Sequence, residues 1–327
     1  MRRIRAEIFN EKGYEIYGDR NVTINGIAYD SRVVNKGDLF IAVAGEKVDG
    51  HDFINAAVEA GASAILFEKG RSSNSDLKQL MDSRNDIAWI WSDDTRDAMA
   101  FASNIFYGAP SEFLSVIGIT GTNGKTTTSY LIKSALEAWG MKTGLIGTIT
   151  YLIGYESYDA THTTPESPDF QRLLRKMADS GCSHVIAEVS SHALSQKRTD
   201  YTSFKVAIFT NLTRDHLDYH ETMEDYFSAK TRLFTELLTQ GGYAVINIDD
   251  PYGRRLADLL AVVRPDLNII TLGVESKDAA LRAYDKFMSY KGVSYSAHIK
   301  ESYRSLSVCV EDIALSCPLV GMINVYN

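Results

Sequence analysis

A glycine-rich turn set between an apolar run and a helical repeat constrains this chain more than any other stretch. Leu114-Ser115-Val116-Ile117-Gly118-Ile119-Thr120 is short, apolar and partly β-branched, which suits a buried strand. Gly121-Thr122-Asn123-Gly124-Lys125 puts two glycines and a lysine in one tight turn. Tyr130, Leu131, Ala135, Leu136 and Trp139 then recur at helical spacing, and Gly140 stands where a helix would stop. Strand, turn and helix N-terminus together make a phosphate cradle, because free backbone N–H groups and the positive end of the helix dipole meet an anion there. Lys125 adds a point charge, and the Thr126 hydroxyl can hold a magnesium ion. The strict P-loop pattern has a glycine six residues before the lysine. Ile119 stands there, so the match is to the shorter Gly-Thr-Asn-Gly-Lys-Thr. Nucleotide phosphate is the favoured ligand, and an ordinary strand-to-helix turn is the alternative.

The rest of the chain narrows the setting. A length of 327 residues fits two domains or three small ones. An apolar fraction of 45% is enough for a sizeable core and argues against disorder. The formal charge of −8 argues against a nucleic-acid surface. Cys182, Cys309 and Cys317 are odd in number, far apart and without a C-x-x-C pair, which favours a reducing compartment and gives no cysteine zinc site. The opening MRRIRAEIFNEKGYEIYG lacks the apolar core of a signal peptide, and no run reaches the length of a membrane span. A soluble cytoplasmic protein is expected.

From Val22 to Gly108 strand-like and helix-like pieces alternate. Asp38–Val43, Ala64–Phe67 and Ile87–Trp91 read as strands. His51–Gly61 reads as a helix with Phe53, Ile54, Ala57 and Val58 as its stripe, and a second helix opens at Asp94 and runs to Tyr107-Gly108. Arg71–Asp76 reads as a surface loop, and Gly108-Ala109-Pro110-Ser111 as a linker between domains 1–110 and 111–327. Beyond the cradle, strands are expected at His184–Val189, Lys205–Thr210, Tyr243–Ile248 and Asn268–Leu272, with helices at Asp169–Ser180 and Met223–Leu238. This is an α/β pattern: a mostly parallel sheet covered on both faces, with ligands at the carboxyl ends of its strands. From Ser289 short alternating runs predict a small antiparallel appendage.

Several polar residues fall where such a sheet would present them. Glu188 ends a strand, either as a magnesium ligand beside the cradle or as a surface glutamate. Asn211-Leu212-Thr213-Arg214-Asp215-His216-Leu217-Asp218 packs Asp, His and Asp together, although His216 alone would read as a hydrogen-bonded loop histidine. Thr161-His162-Thr163-Thr164-Pro165 alone reads as a turn, and Lys230 alone as a solvated charge on a helix.

Taken in order, DSRVVNKGDLFIAVAGEKVDGHDF, GITGTNGKTTT, HTTPES, EVSSHALSQKR, FTNLTRDHLDYH, YFSAKTRLF and INIDD resemble the Mur ligase family over about Ile24 to Asn327. The resemblance is to the branch adding the third amino acid to UDP-N-acetylmuramoyl-L-alanyl-D-glutamate. The DSR…DGHDF segment separates the chain from folylpolyglutamate synthetase, and the lack of a four-cysteine zinc ribbon separates it from the related amidotransferase subunit. The resemblance implies an N-terminal UDP-sugar-binding domain (1–110) and a central P-loop-type, ATP-binding domain (111–327). Gly121, Thr122, Asn123, Gly124, Lys125, Thr126 and Thr127 would hold the ATP phosphates, with Lys125 on the γ-phosphate, and Asn324 would lie at the adenine. Thr126 and Glu188 would serve one Mg2+, and His216 and Lys230 a second, Lys230 as its carbon dioxide-derived carbamate (N6-carboxylysine). Tyr29 and Ser31 would contact the uridine end of the substrate. His162, Thr163, Thr164, Ser190, Gln196 and Arg198 would line the rest of the nucleotide-sugar peptide site.

The implied reaction is stepwise. The D-glutamate side-chain carboxylate attacks the γ-phosphate of ATP, and the resulting acyl phosphate meets the amine of a diamino acid to give amide, ADP and phosphate. The partners implied are the nucleotide-sugar dipeptide, ATP and a diamino acid, acting on a monomer with no nucleic acid or membrane. The family's third domain, which binds the amino acid, is not expected in this chain. The residue added is therefore open between meso-diaminopimelate, L-lysine and another amine, and the chain alone is expected to form no product. A module that binds ATP and UDP-sugar without chemistry, and a small-molecule P-loop kinase or NTPase, are the alternatives.

Overall fold

Leu39–Ile41 shows how the first sheet is built. Successive strand side chains face opposite sides, so Leu39 and Ile41 join one apolar cluster with Leu66, Ile90, Met99 and Phe101. Phe40 joins the other, with Ile65, Phe67 and Trp89. The sheet is thus buried on both faces, as the continuous apolar runs require. The computed structural model describes residues 3–45, 48–71, 74–215, 219–299, 312–319 and 323–326. These fall into two compact units. The first comprises Met1–Pro110, Glu166–Arg175 and Gln196–Tyr201, and the second Ser111–Pro165, Lys176–Ser195 and Thr202–Asn327. The main division coincides with the Gly108–Ser111 break, while two later segments pack with the first unit.

In the first unit the five-stranded sheet runs Glu15–Gly18, Ala88–Ser92, Ala64–Glu68, Leu39–Ile41, Ile27–Ala28. All pairings are parallel except that of Glu15–Gly18. Helix Thr95–Tyr107 is opened by Asp94, whose carboxylate accepts from the N–H groups of Arg96 and Asp97, and is closed by left-handed Gly108. Such an N-cap contributes about 1 kcal/mol. The loop read at Arg71–Asp76 is shorter than expected. Asn74 accepts from the N–H groups of Asp76 and Leu77 and opens a helix, Ser75–Ser83, that the sequence reading missed. Residues 72–73 lie outside the described residues. The helix expected over His51–Gly61 is regular α only at Ile54–Glu59, preceded by a tighter turn at Gly50–Phe53.

In the second unit the described residues form an eleven-stranded sheet. From Thr143–Ile146 it passes through His184–Glu188, Ser115–Thr120, Phe204–Phe209, Leu238–Asn247 and Asn268–Gly273 to Leu281–Ser289, every pairing parallel. One edge carries the antiparallel strands Thr150–Ile153 and Glu156–Asp159, which the sequence reading did not place. The antiparallel appendage is present at the other edge: Leu281–Ser289, Gly292–Ile299 and Asp312–Cys317. It begins earlier than Ser289 and continues the main sheet. Helix Lys125–Ala138 packs Ile132 and Leu136 against Ile117, Ile119 and Ile186. Trp139, expected in that stripe, is 81% exposed. The helix expected over Met223–Leu238 stops at Arg232, followed by a wider π-turn at Leu233–Leu237. No helix of the described residues is long and apolar enough to cross a membrane. Cys182 and Cys317 are free thiols, and Cys309 lies outside the described residues.

Candidate functional site

The cradle follows Ser115–Thr120, a strand in the middle of the parallel sheet with neighbours on both sides. Gly121 has φ 144°, and a Cβ there would lie 2.0 Å from Thr210 Oγ1, so only glycine lets the turn leave the strand this closely. Asn211 stitches the turn down. Its carbonyl accepts from Thr122 N–H at 2.8 Å, its Oδ1 accepts from Asn123 N–H at 3.0 Å, and its Nδ2 donates to Asn123 O at 3.1 Å. Lys125 opens the helix, where the first four N–H groups have no acceptor within the helix. Its Nζ donates to the carbonyls of Gly121 and Thr122, both at 2.9 Å. Burial lowers the Lys125 pKa, against the opposing pull of the Glu188 and Asp215 carboxylates.

Glu188 is not the surface glutamate of the alternative reading: it is fully buried at the end of His184–Glu188. Its Oε2 accepts from Thr126 Oγ1 and Thr148 Oγ1, both at 2.9 Å, and its Oε1 accepts from Thr148 N–H at 3.2 Å and Ser129 Oγ at 3.5 Å. A buried carboxylate beside three hydroxyls is a set of hard oxygen donors, the chemistry that magnesium takes, so these residues fit that ion. Among the described residues no group of three or more His, Cys, Asp or Glu converges, and His216 lies outside them.

Lys230 is also not the solvated charge its helix alone suggests. It is 1% exposed, donates to Gly121 O at 3.0 Å and lies 4.6 Å from the centre of the Tyr226 ring. Burial, and after it the Lys125 charge, hold its pKa well below the ordinary lysine value, with Asp215 opposing. Tyr226 Oη in turn meets Thr122 Oγ1 at 3.2 Å. Thr148, Tyr226 and Asn211 were not singled out from sequence. Only the Asn211–Asp218 cluster and the run around Lys230 signalled two of them.

The other candidates divide between the units. In the second, Thr164 Oγ1 donates to Glu188 O at 2.8 Å and accepts from Ser190 N–H at 3.1 Å. Thr163 Oγ1 lies 3.1 Å from Thr148 Oγ1, and Tyr151 Oη brackets exposed His162 through its N–H and carbonyl. The loop is therefore tied to the Glu188 strand, which a turn assignment alone would not give. Asn324 sits in the short helix Ile323–Tyr326, whose Val325 and Tyr326 line a cavity of about 150 Å³ with Asn247, Gly273 and Tyr295. In the first unit, Tyr29 and Ser31 line a cavity of about 500 Å³ with Arg32, Phe53, Arg96 and Glu166. Phe53, expected in a buried helical stripe, instead forms part of its wall. Tyr29 Oη donates to Asp169 Oδ2 at 2.6 Å, and burial together with that carboxylate raises the phenol pKa. Arg198 donates through Nε and Nη2 to Gln196 Oε1, at 3.1 and 2.7 Å.

A parallel sheet whose central strand feeds a glycine-rich turn and a lysine-headed helix defines a P-loop-type α/β protein. Residues 119–327 match the family described as Mur ligase middle domain, and residues 23–107 match that described as Mur ligase family, catalytic domain. The chain belongs to the Mur ligase family. It is 44% identical over 284 residues to a UDP-N-acetylmuramoyl-L-alanyl-D-glutamate–2,6-diaminopimelate ligase of Geobacter sulfurreducens, covering 85% of this chain and 53% of the relative. The ligase of the same name from Geobacter metallireducens is 42% identical over 318 residues, covering 96% and 57%. A solved structure of a ligase so named superposes with a TM-score of 0.81 at 26% identity, over 100% of this chain and 62% of that one. The chain thus spans somewhat more than half the length of these relatives.

Proposed function

We propose that this chain provides the ATP and nucleotide-sugar sites of a cytoplasmic, ATP-dependent amide ligase of peptidoglycan precursor synthesis. Its substrate would be UDP-N-acetylmuramoyl-L-alanyl-D-glutamate. The names of the relatives favour 2,6-diaminopimelate over L-lysine as the diamino acid added. The observation that carries the reading is the buried Lys230 amine on the carbonyl of Gly121, the first residue of the cradle. A lysine so buried, with a backbone carbonyl as its hydrogen-bond acceptor, is costly as a structural element. Held neutral, it is a nucleophile for carbon dioxide: the N–C bond forms, a C=O π pair moves to oxygen, and the amine proton leaves to solvent. The amine becomes an anionic oxygen ligand.

In this reading Gly121 to Thr127 cradle the ATP phosphates, and Lys125 exchanges its two carbonyls for the γ-phosphate. Asn324, next to the smaller cavity, lies at the base. Thr126 and Glu188 hold one magnesium, while His216 and carbamylated Lys230 hold another. Magnesium, when bound, neutralises the oxygens of the transferring phosphoryl group. Lys125 and the helix N-terminus stabilise the same charge as the glutamate side-chain carboxylate displaces ADP. His162, Thr163, Thr164 and Ser190 orient the dipeptide end, so that the amine meets the acyl phosphate already placed. Tyr29 and Ser31 take the uridine end, and Gln196 and Arg198 the middle of the ligand, on a protein acting as a monomer. The test is calorimetric: the chain should bind Mg-ATP and the nucleotide-sugar dipeptide, each without the other. Carbon-13 bicarbonate should add a carbamate resonance absent from Lys230→Met. Failure to bind either ligand contradicts the reading.

A further inference from the structure

Within the first unit, the segment bearing Gln196 and Arg198 is held in a backbone that ordinary residues avoid. Lys197 has φ 56° and Tyr201 φ 60°, both left-handed. Contacts to the first turn of helix Thr95–Tyr107 pin it there. Lys197 Nζ lies 2.9 Å from Asp94 Oδ2 and 3.6 Å from Asp97 Oδ1, and Tyr201 Oη donates to Asp97 Oδ2 at 3.0 Å. The last contact runs through Glu166. One carboxylate oxygen is 3.0 Å from Arg198 Nη2, and the other is 3.5 Å from Arg96 Nη1. Arg96 Nη1 and Glu166 Oε2 are buried and make no hydrogen bond, so this second contact is a charge pair without donor geometry. A shielded carboxylate between two guanidiniums is weak evidence for stability as such, because desolvation offsets the attraction. It does fix where a guanidinium lies.

We propose that Glu166 and Arg96 are positioning residues of the nucleotide-sugar site. Glu166, with Gln196, orients the planar Arg198 fork before ligand arrives, and Arg96 offsets the Glu166 charge that would otherwise compete for that fork. The inference rests on the reading that the cavity they line with Tyr29 and Ser31 takes the nucleotide sugar and that Arg198 touches it. A guanidinium binds anionic oxygen in a fixed plane, and preorganising it raises affinity by lowering the ordering cost of binding. The anionic oxygen belongs either to the diphosphate or to a carboxylate of the ligand's peptide end.

The experiment titrates uridine, UDP, UDP-N-acetylmuramic acid and its L-alanyl-D-glutamate derivative into the wild-type chain and into Arg198→Ala, Glu166→Ala, Glu166→Gln, Arg96→Met and Glu166→Ala/Arg198→Ala. Arg198→Ala should lose about tenfold in affinity, some 1.4 kcal/mol, at the ligand that first supplies the anion, which tells diphosphate from carboxylate. Glu166→Ala should lose a similar factor at that same ligand and nothing for uridine. The double variant should be no worse than Arg198→Ala alone, since the brace acts only through Arg198. Glu166→Gln, which keeps an oxygen acceptor, should retain most of the affinity, and Arg96→Met should fall between. The gently altered Glu166→Gln and Arg96→Met keep the comparison open if Glu166→Ala unfolds. Unchanged affinity in Glu166→Ala, losses that add in the double variant, or an equal loss for uridine would overturn the brace. If Arg198→Ala leaves every ligand unchanged, the nucleotide-sugar reading of Arg198 fails, and the brace with it.

Discussion

The cradle of the second unit and the large cavity of the first are built in opposite ways. The cradle is mostly one continuous stretch, 121–127, a glycine turn running into a helix, and three distant side chains, Asn211, Glu188 and Lys230, complete it. The cavity draws on residues near 29–32, 43–53, 96–99 and 166, and its polar groups are set by side-chain pairs such as Tyr29–Asp169 and Glu166–Arg198. A site made from consecutive backbone can be read from consecutive letters. One made from side chains brought together by the fold can be read only through resemblance or structure. The two should also fail differently, a continuous turn through its single charge and an assembled cavity through any brace.

Lys125→Ala is the hardest break. It removes the cradle's point charge at the first residue of the helix, where alanine is a good helix former, so Mg-ATP affinity should fall by about a hundredfold or more, roughly 2.7 kcal/mol, with unchanged circular dichroism and unchanged nucleotide-sugar binding. Wild-type ATP affinity would remove the cradle from the account. Gly147→Ala tests the magnesium corner. A Cβ there would stand 2.4 Å from Glu188 Oε1, so the carboxylate must shift away from Thr126 and Thr148. Magnesium titration at fixed ATP should show about a tenfold loss, again sparing the nucleotide sugar.

Tyr226→Phe keeps the ring beside Lys230 but removes the hydroxyl that meets Thr122. An ordinary neutral hydrogen bond is worth about 1 kcal/mol, so ATP affinity should drop severalfold at most. A loss as large as that of Lys125→Ala would mean that the hydroxyl touches nucleotide. Asp266→Asn is the control and the smallest effect, altering neither ligand. Arg264 holds the Asp266 carboxyl down at about 2, below its ordinary value, and Arg264 also donates to the carbonyls of Phe234, Thr235 and Leu238. Because the folded pKa is depressed, this stabilisation is present above the ordinary carboxylate pKa and lost as pH falls through about 2. The wild-type melting temperature should exceed the variant's slightly near neutrality, and the gap should close in strong acid.

The sequence carried the strand–turn–helix cradle, the alternation of strands and helices, and the break near Pro110, because each rests on local periodicity or on glycine. It misjudged what depends on which side of an element meets the sheet. Trp139 shares helical spacing with Leu136 yet projects into solvent, whereas Ile132 carries the packing. Lys230 reads as a surface lysine because nothing local reveals that its stretch of the helix, with Tyr226, Phe227, Ala229 and Thr231, is buried. Glu188 reads equally as ligand or surface residue from sequence, because Thr148, in the bend between Thr143–Ile146 and Thr150–Ile153, closes over it only in the fold. Leu281–Ser289 is not legible because its alternation is weak, and only its pairing with Asn268–Gly273 and Gly292–Ile299 defines it.

The most direct test is calorimetric titration of UDP-N-acetylmuramoyl-L-alanyl-D-glutamate into the wild-type chain, Lys125→Ala and Arg198→Ala under one set of conditions. The account predicts one-site binding to the wild type, the same affinity in Lys125→Ala, and a loss of about tenfold in Arg198→Ala. Binding that is lost with Lys125 and kept without Arg198 would contradict it, because the nucleotide sugar would then occupy the cradle.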